Sequence, residues 1–283
     1  MPRGGQAPKS ENMELENKAI VITGASSGLG KQLALDLAMK GNKLALLARN
    51  EKELEKVKKE CEKSGAIVKT FVCDVSRHEE VKKTAKFILE DFGKIDILIN
   101  NAGIGIYKPF HKLTSEEMNQ QIFTNFFGTI YFTQEFLPSM LAKHHGFIVN
   151  IASMAGKISF ANLSIYSATK HAIVGFTQAL QLELHDKGVH VLLVCPAGMQ
   201  TNFFSNPSWE GHMHRTHPER DMTPEIVSEK VLEAIEKNKY ELYLPLKEHL
   251  VMAAKALMPN RFRKIQIKRQ KKHLQNALAE LQM

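Results

Sequence analysis

Tyr166 and Lys170 stand four residues apart in the stretch YSATK, thirteen positions after Ser153. A phenol is a poor acid and a poor base at neutral pH, because its ordinary pKa lies near about 10. A helix is expected to begin near Asn162, and the i, i+4 spacing puts both side chains on one of its faces. An ammonium there favours the phenolate and turns the phenol into a proton-transfer group. Ser153 ends the apolar run FIVNIAS, where its hydroxyl could hold a carbonyl. Asn125 lies inside the helical pattern QIFTNFFGTIYF. Asparagine has low propensity there, and its side chain is satisfied either by a preceding carbonyl or at a site. Taken singly, each of the four has a structural explanation. Proton transfer rests on their joint occurrence with a glycine-rich turn.

That turn is TGASSGLG, residues 23–30, between an apolar run and a helical pattern. Gly24, Gly28 and Gly30 allow a tight turn and a close approach to a pyrophosphate, and the helix that follows aims its free amides at the phosphates. The G-x3-G-x-G spacing differs from the common G-x-G-x-x-G fingerprint, so the strand before and the helix after carry the reading. The second strand ends in LLARN, with Arg49 and no acid before Glu51. An acid at that point serves a ribose 2′-hydroxyl, whereas a guanidinium grips a 2′-phosphate, so NADP(H) is expected over NAD(H). A solvated Arg49 is the alternative.

Positioning these residues requires a particular scaffold. Apolar runs at KAIVITG, KLALLA, IVKTFVCD, IDILINN, FIVNIAS, VHVLLVCP and YELYLP alternate with helical patterns over 29–41, 51–64, 77–92, 114–144, 164–187 and 224–238. Near-continuous apolar strands joined by helices mean a parallel sheet buried on both faces. Right-handed crossovers then give a single doubly wound, Rossmann-type α/β domain with seven strands. Ligands in such sheets bind beyond the carboxyl ends of the strands, where the residues above fall. The expected division is a flexible leader over 1–17, the catalytic domain over 18–248 with a substrate lid over 199–223, and a basic amphipathic extension over 249–283.

Composition excludes several classes. The chain has 283 residues, 43% apolar and 24% charged, without repeats or an apolar run long enough to span a membrane. Three cysteines, Cys61, Cys73 and Cys195, are odd in number and unpaired in spacing, which points to core packing in a reducing, cytoplasmic compartment rather than disulfides or zinc. The net charge of +8 comes from the tail: the run 249–279 holds eight Lys/Arg and no acid, and the rest of the chain carries 30 bases and 30 acids.

TGASSGLG, NNAG at 100–103, Asn125, Ser153 and YSATK, in this order over about residues 18–245, resemble the short-chain dehydrogenase/reductase family. The resemblance implies that Tyr166 donates its proton to a carbonyl oxygen while hydride reaches the carbon. Lys170 would lower the tyrosine pKa and hold the nicotinamide ribose. Ser153 would polarise the carbonyl, and Asn125 would hold a water through its backbone. It further implies cofactor contacts from Gly24, Ser26, Ser27, Gly28, Leu29, Gly30 and Arg49, and from Asp74, Val75, Asn101, Ala102 and Gly103. Pro196, Gly198 and Thr201, with Tyr166 and Lys170 themselves, complete the set. In CPAGMQT this chain has Pro196-Ala197 where the family usually has Pro-Gly. Ala197 lacks easy access to a positive φ, so closure over the nicotinamide is expected to differ slightly.

Met154, Ile158, Phe160, Met199, Phe203, Phe204 and Trp209 suggest an apolar pocket for a hydrophobic carbonyl or alcohol. Packing of the lid is the competing explanation. His212, His214 and His217 lack an evident fourth ligand and read as solvated. The tail reads as a peripheral membrane contact, a subunit contact or a solvated helix, and not as a nucleic-acid reader. A homodimer or homotetramer is expected. The leading reading is an NADPH-dependent carbonyl reductase. The alternatives are a nucleotide sensor without turnover and an NAD-dependent alcohol or hydroxysteroid dehydrogenase.

Overall fold

The computed structural model describes residues 13–201, 203, 207–209, 222–245 and 248–280. Seven strands form one sheet: β1 (Ala19–Thr23), β2 (Lys43–Ala48), β3 (Ile67–Val72), β4 (Ile97–Asn100), β5 (Gly146–Ile151), β6 (Val189–Pro196) and β7 (Glu241–Leu244). Their order is β3-β2-β1-β4-β5-β6-β7, and every pairing is parallel. The order reverses between β1 and β4, so a crevice opens beyond their carboxyl ends.

Alternation along the strands assigns the two faces. Ile20 and Ile22 of β1 and Leu44 and Leu46 of β2 pack under α1 (Gly28–Ala38), α2 (Glu51–Glu62) and α7 (Pro224–Glu236). Val21, Ala45 and Leu47 face the other way, toward α3 (His78–Phe92), α5 (Gly128–Ala142) and the end of α6 (Ser164–Glu183). Both faces are covered, which is why these strands read as unbroken apolar runs rather than alternating ones.

The helical stretch expected over 114–144 is not one helix. It is α4 (Ser115–Ile122), a five-residue π-helical turn (Phe123–Phe127) and then α5. A Thr114/Glu117 capping box starts α4. After β7 come α8 (Glu248–Leu257) and α9 (Pro259–Glu280). No helix among the described residues is long and apolar enough to cross a membrane.

The leader needs a correction. Met13 and Leu15 are buried in the core under α1, so the packed body begins before residue 18, while residues 1–12 lie outside the described ones. Asn42 fixes this segment. Fully buried, it accepts from the Lys18 amide at 2.7 Å and donates to the Leu15 and Leu37 carbonyls, each at 2.8 Å.

Replacing Asn42 by leucine removes this partner from the Lys18 amide and the Leu15 carbonyl, while the Leu37 carbonyl keeps the Lys40 amide at 3.2 Å, at a cost of roughly 2–4 kcal/mol. Calorimetry should show Asn42→Leu melting roughly 5–15 °C lower. An unchanged melting temperature would remove Asn42 as the anchor of the amino-terminal segment.

Candidate active site

The turn after β1 meets the NNAG segment after β4 at backbone contact distance. Gly24 has φ +66°, and a Cβ there would lie 2.9 Å from the Ala102 Cα. A Cβ on Gly30 would sit 2.3 Å from the Gly24 carbonyl oxygen and 2.5 Å from the Asn101 side-chain nitrogen. Side chains lace the two segments together. Asn101 Nδ2 donates to the Thr23 and Gly24 carbonyls at 3.0 and 3.2 Å, and Thr23 Oγ1 accepts the Asn101 and Ala102 amides, each at 3.0 Å. Sequence reasoning misses Thr23. The available signal was a hydroxyl ending a strand of otherwise apolar residues.

Ser27 occupies the N-cap of α1, and its side chain makes no capping hydrogen bond, so the first-turn amides face outward. Beside them a cavity of about 390 Å³ is lined by Ser26, Ser27, Gly28, Lys31, Asn50 and Glu53. Arg49 is exposed just past β2. The α1 start thus combines free amides, a floor too tight for any Cβ and nearby cations, a fit for an anionic dinucleotide. Lys31 and Asn50 join the turn only through the fold; nothing in their spacing marks them. Thr201 crosses over the same turn, its Cβ 3.3 Å from where a Gly28 side chain would start. The Asp74 carboxylate is engaged locally, accepting from the Ser76 amide and hydroxyl at 3.0 and 2.7 Å. Leu29 and Val75 are buried, and Val75 packs against Gly128.

Beyond β5 and on α6 the four polar residues converge. Ser153 caps a short 3-10 turn, accepting from the Ala155 amide at 3.0 Å, and its hydroxyl donates to the Pro196 carbonyl at 3.4 Å. Lys170 is buried, donates to the Ile151 carbonyl at 3.0 Å and stands 5.8 Å from the Tyr166 ring centre. Its Nζ is 3.5 Å from where a Gly103 side chain would start, which joins the dyad to the crevice.

Asn125 sits in the π-helical turn with its side chain fully spent. Its oxygen accepts the Ile104 amide at 2.8 Å, and its nitrogen donates to the Ile104 carbonyl at 2.9 Å and to Thr169 Oγ1 at 3.0 Å. It is therefore satisfied across the site rather than by its own helix. Its main-chain oxygen, expected to hold a water, accepts the Thr129 hydroxyl at 3.0 Å. Asn100 and Asn150, register partners on β4 and β5, bond each other at 2.9 Å and reach Thr133 and Thr177. An asparagine inside FIVNIAS was the sequence signal for that buried link.

The electrostatics depart from the expected ammonium effect. Burial pushes the Tyr166 phenol up to about 12, opposed by the neighbouring Ser153 hydroxyl. Burial also lowers Lys170 from 10.5 to about 8. Without a bound anion, desolvation of the phenol outweighs a lysine whose own charge is penalised.

The apolar side chains divide. Met154 and Ile158 are buried in a cluster with Ile173, Leu193, Cys195 and Tyr243. Met199 bridges Met222 and packs on the α1-side core. Phe160 is exposed. Phe203 lies against Tyr166 with ring centres 5.7 Å apart, and Trp209 donates to the Gly105 carbonyl at 2.9 Å. Phe204, His212, His214 and His217 lie outside the described residues. Ala197 takes no positive φ; its amide bonds the Leu244 carbonyl at 2.8 Å while Gly198 accepts from Met222 at 3.3 Å. Among the described residues no group of three His, Cys, Asp or Glu could hold a metal.

Lys170 makes a pH prediction. Between about 8 and 10.5 the native lysine loses its proton while the unfolded one keeps it, so its contribution to stability rises with pH. Relative to Lys170→Met, the unsubstituted chain should gain up to about 3 kcal/mol across that window. Parallel melting curves for the two proteins from neutral to alkaline pH would refute a buried, depressed lysine.

The chain is matched by the family model for short chain dehydrogenases over residues 18–210. It is 34% identical over 249 residues to human epidermal retinol dehydrogenase 2, covering 85% of this chain and 78% of that protein. Among solved structures it superposes on a short chain dehydrogenase/reductase from Burkholderia phymatum in complex with NAD, with a TM-score of 0.81, 28% identity and coverage of 86% and 94%. A single-residue variant of actinorhodin polyketide ketoreductase with NADPH superposes with a TM-score of 0.73 and 30% identity, covering 82% of this chain and 97% of that one. Glycine turn, crevice and buried Tyr166–Lys170 pair thus stand in a known lineage: the chain belongs to the short-chain dehydrogenase family.

Proposed function

We propose that the protein is an NADPH-dependent oxidoreductase acting on a hydrophobic carbonyl or its secondary alcohol. One observation carries the reading: Tyr166 and Lys170 are buried together, the Lys170 Nζ 5.8 Å from the Tyr166 ring centre, with the Ser153 hydroxyl acting on the same phenol, at the mouth of the dinucleotide crevice. The nicotinamide, when bound, supplies or accepts the hydride. Tyr166 gives its proton to the carbonyl oxygen, and Ser153 donates a hydrogen bond to the same oxygen. A phenol raised to about 12 is fully protonated at neutral pH, which loads the acid for carbonyl reduction. Lys170, held by the Ile151 carbonyl, adds positive charge as the phenolate forms. Asn125 positions the chain beneath both groups through Ile104 and Thr169.

Arg49, with Lys31 near the α1 start, supports NADP(H) over NAD(H), since no carboxylate ends β2 to meet a ribose 2′-hydroxyl. Asn101 to Gly103, Asp74, Val75 and Thr201 are assigned to cofactor contact on their placement around the crevice. Phe203 and Trp209, beside Tyr166, support a hydrophobic substrate, and the relative named as a retinol dehydrogenase agrees. Three free, buried cysteines support a reducing, cytoplasmic setting. Exposed Phe87 and Phe123 support an assembly of two or four copies.

Tyr166→Phe should lower kcat by roughly 10²–10⁴-fold with NADPH affinity nearly unchanged, measured by nicotinamide absorbance on a panel of apolar ketones. Retained turnover would discard Tyr166 as the acid. NADPH binding with no turnover of any panel carbonyl by the unsubstituted chain would favour the sensor reading. Arg49→Asp should raise the ratio of NADPH to NADH dissociation constants at least tenfold, about 1.4 kcal/mol. A ratio that stays put removes Arg49 as the selector.

A further inference from the structure

The α8–α9 segment, whose helical hydrogen bonds run through the junction at Met258, lies against the substrate side of the fold. Lys255 donates to the Lys157 carbonyl, Gln266 reaches the Ser159 carbonyl at 3.5 Å, and Phe262 packs on the cluster holding Met154 and Ile158. Phe262 and Gln266, at i and i+4, therefore mark the inner face of α9. The two hydrogen bonds, to Lys157 and Ser159, fall on the segment that follows Ser153.

The outer face is of another kind. Arg261, Lys264, Lys268 and Lys271 are exposed and fall at i, i+3, i+7 and i+10, one continuous cationic stripe. Exposed apolar side chains border it: Met258 and Ile265 along one edge, Ile267 along the other, with Leu257, at 81% exposure, at the end of α8. No acidic residue occurs anywhere in 249–279, so nothing within the segment neutralises the stripe. Isoleucines standing in water beside clustered lysines fit a partner that offers anionic headgroups and hydrocarbon together. A second copy of the chain fits worse, because a two-fold contact through this face sets like charges together. Nucleic acid supplies the phosphates but leaves the isoleucines wet.

We propose that α8–α9 is a docking surface for an anionic lipid bilayer, laid beside the substrate mouth. Docked in this way, α9 holds the segment after Ser153, which its inner face contacts, close to the bilayer, where apolar carbonyl substrates concentrate. This last point rests on the hydrophobic-substrate reading; lipid docking itself does not.

Sedimentation of the full chain with phosphatidylcholine vesicles, with and without phosphatidylglycerol, tests the proposal. Binding should require phosphatidylglycerol and weaken as salt is raised. It should fall roughly tenfold or more in Lys264→Glu/Lys268→Glu, and fall also in Ile265→Ser/Ile267→Ser. Both variants should bind NADPH as the unsubstituted chain does, which shows them folded. Absence of binding to either vesicle, equal binding to neutral vesicles, or full binding by both variants would overturn it. So would a mass that drops from oligomer to monomer in the variants while vesicles are never bound, since the face is then a subunit contact. Failure to turn over any ketone leaves the vesicle result standing.

Discussion

A cation held in a nearly dry interior sets the terms for the rest of the site. The Lys170 ammonium donates to the Ile151 carbonyl at 3.0 Å, and burial draws its pKa down to about 8. Such a group is tolerated only where the surroundings are fixed, because the penalty on the charged form is about 3 kcal/mol. The surrounding structure provides that fixity. β5 delivers the carbonyl, α6 delivers the lysine, and Asn125 clamps the Ile104 backbone to Thr169 one residue before it.

The π-helical turn belongs to the same arrangement. An extra residue per turn at Phe123–Phe127 lets the chain swing Asn125 inward while α4 and α5 keep their own packing. Asn100 and Asn150 do similar work deeper in the sheet, joining β4 to β5 and each strand to a helix on one face. Polar side chains thus set the spacing of strands whose apolar contacts alone would specify it loosely.

At the opposite wall the constraint is steric. Gly30 and Gly24 let the first turn press on the NNAG backbone, and Thr23 and Asn101 bond the two segments edge to edge. The first-turn amides of α1 and the Ser153, Tyr166 and Lys170 side chains thereby stand at the carboxyl end of one sheet. The lid side is looser: Phe203 and Trp209 meet the site through rings and a single indole hydrogen bond.

The seven strands, their order of appearance and the helices between them were legible in the sequence, because burial on both faces writes itself as apolar runs and each crossover as a periodic pattern. The glycine turn and the i, i+4 spacing of Tyr166 and Lys170 were legible too, since both are local backbone properties. Local pattern could not reveal that Met13 and Leu15 join the core, or that Met154 and Ile158 pack in one cluster with Cys195 and Tyr243. Nor could it show that the helix around Asn125 opens into a π turn. The sign of the tyrosine shift was also hidden. Spacing gives the distance between a phenol and an ammonium, but desolvation depends on everything packed around them, and only the folded chain supplies that.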